Sequence, residues 1–128
     1  MRVECFNPAR RCCEVVMVQS EGVAARSQQK RMGVYVRERE WNGRLAYKHT
    51  DWEEYIFYYD WGPNSGANWM FTNQIGSTER GMESVNVEFA NQTECLAETE
   101  LQGRQRVWMV WAGDDGWEED SLLRILCL

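Results

Sequence analysis

The stretch Gly33-Val34-Tyr35-Val36-Arg37-Glu38-Arg39-Glu40, followed by Trp41-Asn42-Gly43-Arg44 and Leu45-Ala46-Tyr47-Lys48-His49, decides the fold. It opens rich in β-formers, with Val34 and Val36 on one face and Tyr35 and Arg37 on the other. Asn42-Gly43 is the strongest short hairpin signal, because a type I′ turn needs positive φ at both central positions. Leu45–His49 is then the returning strand. A polar, turn-like Thr50–Glu54 leads into Tyr55-Ile56-Phe57-Tyr58-Tyr59. This continuous aromatic and β-branched run reads as a central strand covered on both faces.

Downstream, Asp60–Asn68 has loop composition, and Trp69-Met70-Phe71 is a short strand. Ile75-Gly76-Ser77 through Arg80-Gly81 reads as turns. Ser84–Phe89 alternates, with Val85, Val87 and Phe89 on one side. Arg106–Trp111 is a strong strand, Gly113-Asp114-Asp115-Gly116 a tight turn, Trp117 the start of the return, and Leu122–Cys127 a last strand. No stretch after Gly33 keeps a helical period, although Ala97–Gln102 could hold one turn. About seven short strands with turn signals every 8–12 residues predict an all-β fold, a small antiparallel sandwich or barrel.

The chain divides near Gly33. Residues 1–32 carry six basic residues and three acidic ones, net +3, whereas the remainder carries eight and 17, net −9. All seven Trp and all five Tyr follow Gly33. The expected organisation is a flexible or unrelated segment over 1–32 and a Trp/Tyr-rich β domain over 33–128. The only apolar run of the first segment is Val15-Val16-Met17-Val18. Arg10, Arg11 and Glu14 interrupt residues 1–18, so no export signal of about 7–15 apolar residues is visible there. The length of 128 residues and 44% hydrophobic content suit one domain. The net charge of −6 disfavours a nucleic-acid binder, and no apolar run approaches the roughly 20 residues of a membrane span.

Five cysteines, Cys5, Cys12, Cys13, Cys95 and Cys127, leave at least one unpaired within the chain. Cys95 and Cys127 each sit beside an expected strand and form the natural disulfide pair; two buried free thiols are the alternative. The spacing of Cys5, Cys12 and Cys13 fits no standard zinc pattern.

Residues 33–128 resemble a small Trp/Tyr-rich module of large multidomain proteins in marine invertebrates and protists. The likeness rests on Gly33-Val34-Tyr35, Asn42–His49, Tyr55–Tyr59, Trp69, Ile75-Gly76-Ser77 and Cys95. It continues with Trp108-Met109-Val110-Trp111-Ala112-Gly113, Gly116-Trp117-Glu118-Glu119-Asp120 and Cys127. Ser121 stands where that pattern has Pro. The resemblance implies an extracellular, non-catalytic unit, one copy of a module often repeated in tandem, and it carries no catalytic residue across.

His49 is the single histidine, beside Thr50 and Asp51, and reads as surface or structural rather than as a catalytic base. No Gly-x-Ser-x-Gly is present. Carboxylates such as Glu53, Glu54, Glu98 and Glu100 are too abundant for any pair to single out glycoside hydrolysis. Asp114, Asp115, Glu118 and Asp120 lie on an acidic turn that could supply oxygens to Ca²⁺, but the spacing departs from an EF-hand loop and a solvated turn is the simpler reading. Asp60, Asn64 and Asn68 form a second oxygen-rich loop. Trp52, Trp61 and Trp117 lie in or beside loops and are the candidates for an exposed platform, with Asn64 and Asn68 beside them; the alternative is that they only cover a small core. Asn91-Gln92-Thr93 is an N-glycosylation sequon. The expectation is a binding or adhesion module for a protein or carbohydrate partner, extracellular, with no cofactor and no membrane insertion. The alternative is an intracellular β scaffold with reduced cysteines.

Overall fold

The computed structural model describes residues 12–85, 95–97 and 106–128. They build β1 (Val15–Gln19), α1 (Val23–Ser27), β2 (Gly33–Trp41), β3 (Arg44–His49), β4 (Tyr55–Asp60), β5 (Ala67–Thr72), β6 (Arg80–Ser84), β7 (Trp108–Trp111), β8 (Trp117–Glu119) and β9 (Arg124–Cys127). The strands form one antiparallel sheet in the order β8-β7-β6-β5-β4-β3-β2-β1-β9. The fold is therefore all-β, but the sheet is a single curled half-barrel with nine strands among the described residues, not two stacked layers of about seven.

Alternation explains the curl. Tyr35, Leu45, Tyr47, Ile56, Tyr58, Trp69, Phe71, Met82, Trp108, Val110 and Ile125 all fall in one buried cluster. These are the inward positions of successive strands, so curling the sheet wraps it around its own rings. Phe71 meets both Tyr35 and Trp108 edge-on, at centroid distances of 5.8 and 5.4 Å, the arrangement favoured by the ring quadrupoles. The outward positions of β3, β4 and β5 are not bare. Ala46, Phe57 and Met70 form a second buried cluster, against which Trp41, Tyr59, Trp61 and Ile75 pack. Both faces of Tyr55–Tyr59 are thus covered, as its unbroken apolar run implies.

The β2–β3 turn follows its sequence signal: Asn42 has φ 50° and Gly43 φ 74°. Two other expectations are corrected. Residues 12–32 are not a separate segment. β1 pairs with β2 (Val16 opposite Tyr35) and with β9 (Val18 opposite Ile125), and Val16 and Val18 are buried. A four-residue apolar run suffices because strands remote in sequence satisfy both its edges. The cysteine pairing also differs. Cys12 is bonded to Cys95 and Cys13 to Cys127, with Cα–Cα separations of 5.5 and 5.8 Å. Cys95 and Cys127 each have an N-terminal partner instead of each other. Cys5 lies outside the described residues, as do the sequon at Asn91 and most of the expected strand Ser84–Phe89; β6 ends at Ser84.

The segment after β1 crosses back over the sheet. Asp120 Oδ2 accepts from Ser20 Oγ (2.7 Å) and from the Ala24 amide (2.8 Å), while its Oδ1 accepts from the Leu122 amide (2.9 Å). The α1 helix packs against β7, and Gln28 Nε2 donates to the Trp111 carbonyl at 2.9 Å. Arg31 pairs with Glu54 at 2.8 Å. Opposite this crossing, β6 changes register against β5 between Phe71 and Thr72. Gly81 falls at that irregularity, and a Cβ there would overlap the side chains of Arg31 and Gln28. The bulge and the glycine together admit the crossing segment and send Arg80 to the outer face.

Candidate functional site

The outer face of β4–β8 carries the clearest site. It begins with the β4–β5 loop. Gly62 and Gly66 adopt positive φ (112° and 73°), and the Trp61 amide donates to the Gly66 carbonyl at 3.0 Å. The tight loop folds the Trp61 ring back over the sheet, where it meets Tyr59 at a centroid distance of 4.6 Å. Trp61 Nε1 donates to Asn68 Oδ1 at 2.8 Å. Asn68 in turn donates from Nδ2 to Glu83 Oε2 (2.9 Å) and to the Ser84 carbonyl (3.0 Å). Glu83 Oε2 receives Arg80 Nε at 2.6 Å, and Arg80 also donates to the Thr78 carbonyl at 3.0 Å.

Arg80 then lies between two indoles. Its guanidinium carbon is 5.1 Å from the Trp61 ring centroid and 5.7 Å from that of Trp117, both within cation–π range. Trp117 is steadied by Trp111 directly across the β7–β8 pair, ring to ring at 5.6 Å. A groove of about 490 Å³ opens here, lined by Trp61, Ser65, Arg80, Glu83, Ser84, Val85 and Met109. Trp117, Trp111, Val85 and Val107 are exposed on this side of the molecule.

Of the residues expected to form a platform, Trp61 and Trp117 come together and Trp52 does not. Trp52 belongs to the loop preceding Tyr55, at the opposite end of β4 from Trp61. It is exposed, with the Lys30 ammonium 5.3 Å from its ring. Asn64 is exposed on the β4–β5 loop and does not line the groove. Asn68 is not a surface ligand at all. It sits inside β5, 1% exposed, with both ends of its amide hydrogen-bonded. Its place is to aim Trp61 and Glu83. The expected loop in fact ends at Gly66, one residue before β5 begins. Arg80 and Glu83 escape the sequence reading because β6 lies where turns were expected. The i,i+3 charge pair Arg80/Glu83 was the only local signal available.

The acidic turn does not assemble a cation site. Asp114 and Asp115 are exposed on the turn after β7. Asp120 is 3% exposed, and its carboxylate is engaged by Ser20, Ala24 and Leu122. Among the described residues, no three His, Cys, Asp or Glu side chains converge to hold a metal ion.

His49 is buried and structural. Its Nδ1 accepts from the Asp51 amide at 3.0 Å, so Nε2 carries the proton and donates to the Met32 carbonyl at 2.8 Å. Tyr35 stacks edge-on to it at 4.9 Å. Burial, with Glu54 nearby, raises the Tyr35 phenol well above its ordinary value, and its hydroxyl donates to the Arg31 carbonyl at 2.8 Å. Burial likewise raises Tyr58 and lowers Arg44, whose guanidinium stands 5.0 Å from the Tyr58 ring centroid.

No family model matches this chain, and neither a curated protein nor a solved structure matches it. Among the described residues, no helix is long and apolar enough to cross a membrane.

Proposed function

We propose that the chain is a non-catalytic extracellular binding module that recognises a protein or glycan partner through the groove lined by Trp61 and Arg80, with Trp117 flanking Arg80. The observation that carries this reading is the pre-set groove itself. A buried Asn68 holds both Trp61 and Glu83, and Glu83 holds Arg80 between the two indoles. Side chains locked by hydrogen bonds lose little freedom when a ligand arrives, which favours binding. The same locking argues against catalysis. Among the described residues, Glu83 is the one carboxylate lining the groove, and it is already engaged by Arg80 and Asn68. His49, the single histidine, is buried with Met32 and Asp51 as its hydrogen-bond partners and does not line the groove.

Two cysteine pairs at bridging distance support an oxidising setting, which the extracellular reading requires. An intracellular scaffold with reduced cysteines would leave that pairing without a purpose. The first and last strands adjoin, so the chain enters and leaves at one place. This geometry suits a unit repeated in tandem.

The test presents the oxidised chain to a panel of immobilised glycans and extracellular-matrix proteins. Retention of at least one panel member, lost with Trp117→Ala and kept with Trp52→Ala, is the expected result. No retention, or retention indifferent to Trp117, overturns the reading.

A further inference from the structure

We propose that the groove lined by Trp61 and Arg80, with Trp117 flanking Arg80, is a subsite for a neutral pyranose, one sugar of an uncharged glycan. The proposal rests on the binding-module reading above and assigns its ligand class. Charge is the first argument. Among the described residues, Arg80 and Glu83 are the only ionic groups lining the groove, and they neutralise each other at 2.6 Å. A cationic ligand would have to displace Arg80 from Glu83, leaving a part-buried charge unpaired, and an anionic one at Arg80 would lie against the Glu83 carboxylate. The surrounding chain, at −6, repels anions further.

Size is the second argument. About 490 Å³ lies in the range of small-molecule sites. Chemistry is the third. A pyranose has a face of C–H groups and a rim of hydroxyls that both donate and accept. Here the Trp61 indole lines the groove beside Arg80, which has N–H groups beyond those given to Glu83 and Thr78, and beside Glu83, whose Oε1 meets Arg80 only at 3.5 Å. An apolar wall next to a donor–acceptor pair matches that amphipathic ligand better than a purely apolar or purely charged one. Trp117, on the far side of Arg80, and Trp111 across from it offer a further indole surface beside the groove for a following sugar.

The experiment is an amide and indole N–H NMR titration of the oxidised chain. The probes are cellotriose, mannotriose and triacetylchitotriose, with trigalacturonate as the charged control, each up to about 10 mM. The Trp61 and Trp117 indole resonances should shift saturably with at least one neutral trisaccharide while Trp52 stays still. Trp117→Ala should weaken binding by roughly tenfold or more. Glu83→Gln, which unpairs Arg80 and needs no change in β8, should weaken the neutral sugar and admit trigalacturonate. Silence from every neutral probe, tighter binding of trigalacturonate to the unaltered chain, or shifts centred on Trp52 would overturn the assignment. If only a matrix protein is retained, and Trp117→Ala abolishes that retention, the sugar falls and the binding-module reading stands. If nothing binds, both fall.

Discussion

Asp120 accepts a hydrogen bond from the amide of Ala24 at 2.8 Å, across 96 positions of sequence. Asp120 lies between β8 and β9, and Ala24 lies in the crossing segment after β1. One buried carboxylate therefore ties the closing turn of the sheet to that segment, with Ser20 and Leu122 as its other donors. Asp120→Asn keeps the shape but removes the charge and turns one acceptor into a donor facing amides. The expected loss is about 2–3 kcal/mol, within the range for hydrogen bonds to a buried charged group. Urea unfolding would read it, and a midpoint equal to that of the unaltered chain would refute the role.

Asn68 should behave as a support of the groove. Asn68→Ala leaves Trp61 Nε1 without its acceptor and Glu83 with Arg80 alone, at a cost of about 1–3 kcal/mol. The Trp61 ring should also lose its fixed pose, seen as a collapse of its indole shift dispersion. Asn64→Ala, on the exposed loop, should change neither quantity.

The β4–β5 region shows where sequence reasoning reaches its limit. Strands β2 to β5 and the Asn42-Gly43 turn were legible because each rests on neighbours in sequence: alternation, β-branching and positive φ. Trp61 and Trp117 were legible as aromatics near turns. Their union was not, because it depends on Arg80, carried by a strand whose edges are satisfied by β5 and β7 rather than by any pattern of its own. β1 was hidden for the same reason. Asn68 was misread because Asn is common in loops, and only the register opposite Tyr59 places it inside the sheet. Cysteine connectivity is a tertiary fact that spacing alone does not determine.

The bridges can be checked directly. Non-reducing peptide mapping with free thiols blocked should yield Cys12–Cys95 and Cys13–Cys127, resolved by partial reduction and alkylation, since the adjacent pair stays on one peptide. Because Cys12 and Cys13 are neighbours, either bridge, once closed, leaves the other to close a ring of about 33 residues through Cys95 and Cys127, worth roughly 3.7 kcal/mol in the chain-entropy model. Cys13→Ser with Cys127→Ser should lower stability by about that much. A Cys95–Cys127 peptide would contradict the fold of residues 12–19.

Alkaline stability should report Tyr35. Burial raises its folded-state phenol above the ordinary value of 10.0. Above that pH the unfolded chain releases the proton while the folded chain keeps it, so stability is intact below about pH 10 and falls as pH rises further, by up to about 1.36 kcal/mol per pH unit for one group. Tyr35→Phe should reduce that slope by one proton's worth while losing roughly 1 kcal/mol at neutral pH through the missing bond to Arg31. An unchanged slope in rapid urea titrations would show that Tyr35 does not carry the effect.

Gly81 should tolerate no side chain. Gly81→Ala forces Arg31 and Gln28 to move, at a cost of about 1–3 kcal/mol, and should loosen the Arg31–Glu54 pair. Thermal unfolding would measure the loss. Gly43→Ala, in open space, should cost less, through its turn conformation alone.

The bond from Cys13 to Cys127 also determines how the molecule carries a mechanical load. A pull applied to the chain ahead of Cys12 and beyond Leu128 reaches Cys13 and leaves at Cys127 one covalent step later. The 113 positions between them, and every ladder of the sheet, lie outside the line of tension. Stretched within a larger filament, the unit would transmit force as an inextensible link while its groove kept its shape, and only a reductant would bring the sheet under strain.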